Sequence, residues 1–327
     1  MINTGGKRVG VLITNLGTPD EPQPSALRRY LAEFLSDPRV VNKPRWLWLP
    51  ILHGIILRIR PARSAKAYQR VWTKEGSPLL AIGRKQQIGL QQKLTTDVPV
   101  VLAMRYGNPS IASGLESLRD QGVERIIVLP LYPQYAASTT ASTFDAIAST
   151  WRHWWHLPEL RMISDYHDRD SYINALANSI REYWSEHGQG EYLLLSFHGT
   201  PEAMRLAGDP YYDQCHKTAE LLRHKLHLSS EQCLLTFQSR FGPEAWLQPY
   251  TDKTLERLAG EGVKRVDVVC PGFSADCLET IDEMALENRE LFLDAGGSDF
   301  HYIPALNDRD DHLNALVELI NEHRLTN

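Results

Sequence analysis

The chain has 327 residues, a hydrophobic content of 43%, a charged content of 23% and a formal net charge of −5. This length suits two folded domains of ordinary size, and the mild acidity gives no reason to expect nucleic acid as a partner. The four cysteines include no C-x-x-C pair, which fits neither a disulfide framework nor a zinc site and suits a reducing cytoplasm.

The N-terminal part of the chain predicts a cytoplasmic protein with one unusual apolar segment. Met1 to Gly10 lacks the apolar stretch of a secretory signal. The segment from Trp46 to Leu57 is shorter than the ~20 residues of a spanning helix, and Pro50 and Gly54 interrupt it. It is either a buried helix or an exposed apolar lip that touches a greasy ligand or the inner face of a membrane.

The same unit occurs twice along the chain. The apolar run that begins at Gly122 recurs at Gly262, and the motif Asp-Arg-Asp that begins at Asp168 recurs at Asp308, both 140 residues later. In the same order, Gly17-Thr18-Pro19 recurs as Gly199-Thr200-Pro201, and Arg105-Tyr106-Gly107 is matched to Arg240-Phe241-Gly242. The chain is therefore a duplication.

Each half predicts four buried parallel strands that alternate with helices. The strands are short, continuous apolar runs bounded by Gly or Pro, which is typical of parallel sheets covered on both faces. We therefore predict an α/β fold of two duplicated Rossmann-like domains, each with a four-stranded parallel sheet flanked by helices. The predicted lobes are 1–164, with an apolar lip insertion at about 40–75, and 165–327, whose last helix is free to pack on the first lobe.

The two halves differ where chemistry is expected. Leu16 precedes the first Gly-Thr-Pro, whereas His198 precedes the second, and Thr139 corresponds to Glu279 at the offset of 140 residues. Both replacements place a metal-binding or basic group after a strand, at the carboxyl edge of the sheet where ligands bind. His198 and Glu279 are therefore the predicted catalytic residues.

Glu279 opens a row of acids. Glu279, Glu283 and Glu287 are spaced four apart and would share one face of a helix, with no lysine interleaved on that face. The structural alternative is that Asp276 caps this helix with Glu279 as its partner. Capping accounts for Glu279 alone, so we favour a functional row of carboxylates.

Other motifs narrow the chemistry. The P-loop and the Gly-rich dinucleotide fingerprint are both missing from the sequence, so ATP-driven and nicotinamide-dependent reactions have no support. The run from Tyr132 to Thr140, together with Trp246, is either ordinary loop packing or a surface that stacks on a flat ligand.

These motifs, taken together and in order, resemble the ferrochelatase family over nearly the whole chain. The segments that carry the resemblance are Asn15 to Pro19, Arg28 to Leu31, Ser36-Asp37, Gly76 to Leu79, Arg105 to Gly107, Tyr132 to Tyr135, Ser196 to Gly199, Gln238 to Gly242, Trp246-Leu247 and Cys277 to Thr280.

The resemblance implies insertion of Fe²⁺ into protoporphyrin IX without ATP. It implies that His198 and Glu279 bind the metal and handle the pyrrole protons, and that Glu283 and Glu287 line a path for metal or protons. It assigns the porphyrin pocket to seven residues: Leu16, Arg105, Tyr132, Tyr135, Ser138, Thr139 and Trp246.

The resemblance also bears on cofactors and substrate. Some relatives hold an iron–sulfur cluster with cysteines near the C-terminus; no cysteine follows Cys277, so no such cluster is expected here. Relatives that use coproporphyrin usually have tyrosine in the place of Leu16. Relatives with a lip insertion use the apolar porphyrin and associate with membranes.

Two alternatives remain open at this stage. One is a related ATP-independent chelatase of the coproporphyrin or sirohydrochlorin type; a polar, acid-rich ring of the second kind would require many Arg and Lys at the site. The other is a non-catalytic tetrapyrrole or metal carrier, which in the periplasm would need an export signal.

Overall fold

A computed structural model gives the structure of residues 7–325, grouped into two compact units. Residues 1–6, part of the segment where no secretory signal is expected, lie outside this range. The first unit takes the chain up to Leu131, segment 137–164 and the chain from Leu313 onward, and the second takes Tyr132–Ala136 and Asp165–His312. Each unit contains a four-stranded sheet with helices, which confirms the predicted duplicated α/β fold.

The sheet of the first unit is parallel throughout, in the order β2-β1-β3-β4. Its central strands are continuous apolar runs because helices cover both of their faces. The strands are β1 (Val9–Thr18), β2 (Val100–Gly107), β3 (Arg125–Pro130) and β4 (Glu159–Met162).

The helices of the first unit include two π-helical segments. Proline at the first position starts α1 and α4, where its missing N–H costs nothing, and the Ser110 hydroxyl caps α5. The elements are α1 (Pro24–Ser36), α2 (Arg45–Ile51), π1 (Leu52–Ile56), α3 (Leu57–Val71), α4 (Pro78–Lys93), α5 (Ile111–Asp120), π2 (Ala137–Ala141) and α6 (Ser142–Trp151).

The second unit repeats this plan, with strand order β6-β5-β7-β8 and parallel pairing. Its strands are β5 (Tyr192–His198), β6 (Cys233–Gln238), β7 (Arg265–Val269) and β8 (Asp299–Ile303). Its helices are α7 (Asp170–His187), α8 (Glu202–Leu206), α9 (Tyr211–Leu226), α10 (Thr251–Gly260), π3 (Glu279–Asn288) and α11 (Arg289–Asp294). The final helix of the chain is α12 (Asp310–Leu325), which belongs to the first unit from Leu313 onward.

The insertion between β1 and β2 exposes much of its apolar segment. Leu52 and Leu57 are buried, whereas Trp46 is 79% exposed and Ile59 69% exposed. The segment is therefore buried on one side only. We call the other side the apolar ridge; its exposed members are Trp46, Leu47, Ile51, Ile55 and Ile59. Over residues 7–325, no helix has the length and apolar character needed to cross a bilayer.

A fully buried histidine lies where α12 begins. The Nδ1 atom of His312 is 2.8 Å from the Asn307 carbonyl oxygen. Because a carbonyl only accepts, Nδ1 carries the hydrogen and the neutral ring leaves a bare lone pair at Nε2. Burial lowers the pKa of His312 to about 4.

This burial predicts a pH-dependent stability. Between pH 6.5, the ordinary pKa of histidine, and about pH 4, the unfolded chain binds a proton that folded His312 refuses. The free energy of unfolding should therefore fall as the pH drops through this window, by about 3 kcal/mol from this group. We expect His312→Gln to flatten that part of the curve in urea unfolding measured from pH 7 to 4.

The exposed His153 supplies the matched control. His153→Gln should keep the pH dependence of the wild type. Equal slopes for wild type and His312→Gln would show that His312 does not cause the loss of stability.

Candidate functional site

His198 is the last residue of β5, at the carboxyl edge of the second sheet, and its side chain is half-buried. Its Nδ1 atom lies 2.7 Å from the carbonyl oxygen of Gly199. The carbonyl must accept this bond, so Nδ1 carries the hydrogen in the neutral ring. The Nε2 atom is then a lone-pair donor, suited to bind a metal ion or to accept a proton.

Gly199 allows the chain to turn closely after His198. A Cβ atom at this position would lie 2.7 Å from the Gln238 carbonyl oxygen and 3.3 Å from the Trp246 ring. The Trp246 side chain is only 8% exposed, and its Nε1 donates to the Phe241 carbonyl oxygen. This favours loop packing for Trp246 and leaves little of its face for a flat ligand.

The acidic row lies on a helix, as its spacing predicts, and this helix, π3, is of the π type. A π-helix has i→i+5 backbone bonds and occurs frequently at functional sites. Along π3, Glu287 is exposed whereas Glu283 and Glu279 are half-buried. Only the last member of the row is therefore fully open to solvent.

The capping alternative for this helix is wrong. Leu278 occupies the cap position of π3, and the helix has no side-chain cap bond. The buried Asp276 carboxylate instead accepts from Tyr302 Oη at 2.6 Å, Asn307 Nδ2 at 2.7 Å and Thr280 Oγ1 at 2.9 Å. Asp276 thus anchors the connection that enters π3.

Glu283 is the member of the row whose electrostatics are best defined. Burial raises the pKa of its carboxyl, while the hydroxyl that Ser239 donates and the charge of protonated His198 oppose that rise. The negative charge of Glu279 raises the pKa of Glu283 further. The charges of His198 and Glu279 therefore both act on the Glu283 carboxyl, whose pKa is raised by burial.

The predicted aromatic and hydroxyl run is divided between the two units. Tyr132 and Tyr135 belong to the second unit and are half-buried; the Tyr135 backbone N–H donates to Gln214 Oε1 at 2.6 Å. Ser138 and Thr139 lie on π2 of the first unit and are also half-buried. Thr139 on π2 stands 140 residues before Glu279 on π3, so both halves contain a π-helix at the same place.

Leu16 and Arg105 are neighbours on adjacent strands of the first unit. The pairs Asn15–Met104 and Gly17–Tyr106 place them side by side. Arg105 does not present a free cation, because its Nη2 lies 2.5 Å from Asp37 Oδ2 and its Nε donates to Ser142 Oγ at 2.6 Å.

One match within the sequence repeat was wrong at the level of single residues. By strand register, Leu16 pairs with Arg105 as His198 pairs with Gln238. Arg240, matched to Arg105 by sequence, lies beyond the end of β6 and pairs with Asp252. The structural counterpart of Arg105 is therefore Gln238, which the sequence analysis did not select.

Asp37 is a second residue that sequence reasoning did not assign a role. Burial opposes its ionisation, but bonds from Ser142 Oγ, the Arg39 backbone N–H, Tyr106 Oη and the Arg105 cation hold the pKa of Asp37 below its ordinary value. Such a saturated carboxylate fixes the approach of π2 to β2. The only indication in the sequence was that Asp37 belongs to Ser36-Asp37, one of the segments that carry the family resemblance.

A further group of potential metal ligands lies outside the predicted site. One ligand atom each from Asp165, His167 and Asp168 lie within 4.8 Å of one another, and His167 Nδ1 is 2.8 Å from Asp165 Oδ1. Asp168 is exposed, and acidic surface groups of this kind are common without an ion.

The fold resembles that of solved structures of SirB, one of which is described as a sirohydrochlorin chelatase. Two solved structures of SirB match 97% of this chain with a TM-score of 0.58. One is SirB from Bacillus subtilis with Fe³⁺, 13% identical and covered to 96%; the other is the sirohydrochlorin chelatase SirB from Bacillus subtilis subspecies spizizenii with cobalt, 14% identical and covered to 95%. At such low identity, these matches establish the fold alone.

Sequence comparison identifies the family. Residues 8–324 match the family described as Ferrochelatase, and the chain belongs to that family. The ferrochelatase of Thioalkalivibrio sulfidiphilus is 59% identical over 95% of this chain and 86% of the relative. The ferrochelatase of Marinobacter nauticus is 58% identical over 97% of this chain and 86% of the relative. The protein is thus a metal chelatase of the iron-inserting class.

The buried pair of Asp37 and Arg105 predicts a large effect on stability. Their side chains are 4% and 16% exposed, so Asp37→Asn would leave the guanidinium with an uncompensated charge. We expect a loss of about 3 kcal/mol in the free energy of unfolding, measured with urea.

Asp145→Asn is the control, because it breaks the exposed pair of Asp145 with Arg39. That change should cost less than about 1 kcal/mol. Similar losses in both variants would contradict a special structural role for Asp37.

Proposed function

We propose that this enzyme inserts Fe²⁺ into protoporphyrin IX without ATP, in the last step of haem synthesis, and that His198 and Glu279 face the incoming ion. Membership of the ferrochelatase family supports the reaction. The observation that supports the site is that Gln238, the strand partner of His198 at the carboxyl edge of the second sheet, donates to the backbone carbonyl oxygen of Glu279 at 3.0 Å.

The chemistry requires a base and a ligand in the same place. Two pyrrole N–H protons must leave the ring while Fe²⁺ loses bound water. The Nε2 lone pair of His198 and the carboxylate of Glu279 serve both tasks, because imidazole suits iron and both groups accept protons. We assign metal delivery and proton abstraction to these two residues jointly.

The remaining acids form the proposed route to that point. Glu287 is exposed, so it meets ions and protons from solvent, and Glu283 follows at the half-buried level of Glu279. Because burial raises the pKa of Glu283, this carboxyl holds a proton more readily than an exposed glutamate does, which suits proton transfer along the row.

The pocket assignment favours an apolar porphyrin. Leu16 offers a half-buried alkyl group at the end of β1, and the charge of Arg105 is balanced by Asp37. A sirohydrochlorin-type ring with many carboxylates would need unpaired cations instead. We propose that Leu16, Tyr132, Tyr135, Ser138 and Thr139 contact the ring, and that Arg105 and Trp246 shape the pocket by packing.

Substitution of the metal-facing residues tests this assignment. We expect His198→Ala and Glu279→Gln to bind protoporphyrin as the wild type does but to lose metallation by at least ~100-fold, because the base and ligand are gone. Binding is followed by porphyrin fluorescence, and metallation by its loss with Fe²⁺ or Zn²⁺ under anaerobic conditions.

His224→Ala and Glu116→Gln are matched controls at exposed positions on α9 and α5, and both should keep full activity. Wild-type rates in His198→Ala and Glu279→Gln would remove the site assignment. Binding of porphyrin without turnover by the wild type would favour the carrier instead.

We also propose that the apolar ridge makes peripheral contact with a membrane. Its large side chains are exposed, and Lys43, Arg45, Arg58 and Arg60 flank it, which suits an anionic bilayer surface.

The double variant Trp46→Ser and Ile59→Ser should lower binding to anionic phospholipid vesicles by about tenfold or more, because both side chains leave water on insertion. Co-sedimentation with the vesicles measures this. Trp155→Ser is the matched control, because Trp155 is fully exposed but lies outside the ridge. If both proteins sediment like the wild type, the ridge does not contact the membrane.

A further inference from the structure

The end of β6 contacts His198, Glu279 and Glu283 of the second unit's candidate site. Gln238 pairs with His198 in the sheet, and its carbonyl oxygen accepts the Gly199 N–H at 2.7 Å. Its side chain reaches the backbone of Glu279, and the next residue, Ser239, reaches the side chain of Glu283. Two consecutive residues thus link the strand that ends in His198 to the acidic row.

The Gln238 amide has a fixed orientation. It is 4% exposed, and its Oε1 accepts the Ser196 hydroxyl at 2.8 Å. The amide group must therefore point its Nε2 away from Ser196, and Nε2 donates to the Glu279 carbonyl oxygen at 3.0 Å. This bond reaches the first residue of π3, so it sets where the π-helix begins relative to β5 and β6.

Ser239 has a backbone conformation that side chains rarely adopt. Its φ is +66°, in the left-handed region, which costs about 1 kcal/mol or more for a residue with a Cβ atom. In this conformation the Ser239 hydroxyl donates to Glu283 Oε2. The unfavourable backbone angle thus accompanies a direct bond to the acidic row.

The first unit has a similar bond from side chain to backbone, made by a different residue. Arg105, the register counterpart of Gln238, donates from Nε to the backbone oxygen of Ser142 at 2.9 Å, immediately after π2. In both units a polar side chain near the end of the second strand bonds to the backbone at one end of a π-helical segment: the start of π3 in the second unit and the residue after π2 in the first. The recurrence argues that this strand position has a structural task of its own, separate from the chemistry of either residue.

We infer that Gln238 and Ser239 are positioning residues, which hold the start of π3 and the Glu283 carboxylate in register with His198 for the metal. This inference rests on the proposed function. Neither residue needs to touch the metal; each acts through the group to which it donates. Loss of such supporting bonds typically costs about 10–100-fold in metal affinity or activity.

The experiment compares Gln238→Glu, Gln238→Met and Ser239→Gly with the wild type. Glutamate keeps the shape of Gln238 but, when ionised, cannot donate to the Glu279 carbonyl; methionine removes the bond without adding charge. Glycine removes the Ser239 hydroxyl and adopts the positive φ at no steric cost. Gln87→Glu is the matched control, since Gln87 Nε2 also donates to a backbone carbonyl, that of Val100 at 2.8 Å, in the first unit.

Steady-state kinetics with Zn²⁺ and protoporphyrin separate the two KM values, and the visible spectrum of added Co²⁺ reports its coordination. We expect all three variants to raise the KM for metal and lower kcat by about tenfold or more, with an unchanged KM for porphyrin and an altered Co²⁺ spectrum. Gln87→Glu should match the wild type in all four measurements.

Two results would overturn the inference. One is wild-type kcat and metal KM in folded Gln238→Met and Ser239→Gly; the other is an equal rise of both KM values, which would indicate a general loss of structure. Failure of the proposed function is distinguishable, because the wild type itself would then show no metallation. If the wild type is active and His198→Ala is not, unaffected strand-end variants refute only the positioning role.

Discussion

The hydrogen bond from His198 Nδ1 to the Gly199 carbonyl is the interaction on which the proposed chemistry depends. It selects the tautomer in which Nε2 carries a lone pair, and a histidine in the other tautomer could neither bind the ion nor take a proton at that atom. The bond exists because the chain turns tightly at Gly199, a position where a Cβ atom would collide with the Gln238 backbone. A backbone constraint thus sets the chemistry of a side chain.

The duplication separates folding from function. Both units use parallel strands in equivalent order and a π-helix after the third strand, so these features belong to the scaffold. At the strand ends the units differ: Leu16 and Arg105 stand in the first, His198 and Gln238 in the second. The positive charge of Arg105 is balanced by Asp37. Gln238 is uncharged, so it adds no positive charge beside the acids of the second site. The same scaffold can therefore hold an apolar residue at the strand end of one half and, at the equivalent place in the other, the histidine that we propose faces the metal.

The sequence was sufficient for the sheets, because continuous apolar runs bounded by Gly or Pro occur where parallel strands are covered on both faces. Comparison of the two halves also selected His198 and Glu279, because a duplicated chain provides its own comparison, and the role of these two residues stays a prediction. The sequence could not reveal that this helix is a π-helix, because acids at intervals of four residues are equally compatible with an α-helix. Nor could it reveal the role of Asp276, whose partners Tyr302 and Asn307 come from another part of the chain.

Two further features depend on the three-dimensional structure alone. Residue preferences do not predict the positive φ of Ser239, because serine seldom adopts such an angle. Arg105 was matched to Arg240 because both are arginines in similar motifs. The strand register instead makes Gln238 the equivalent of Arg105. A residue that supports a site by a bond to the backbone is hard to find from sequence. Its residue type does not reveal which group it bonds to in the folded protein.

A crystal structure of the protein soaked with Co²⁺ tests the central claim most directly. The account predicts one strongly bound ion with His198 Nε2 and a carboxylate oxygen of Glu279 or Glu283 at about 2.0–2.2 Å, the usual distance for such ligands. An ion held instead by Asp165, His167 and Asp168, with none beside His198, would contradict it.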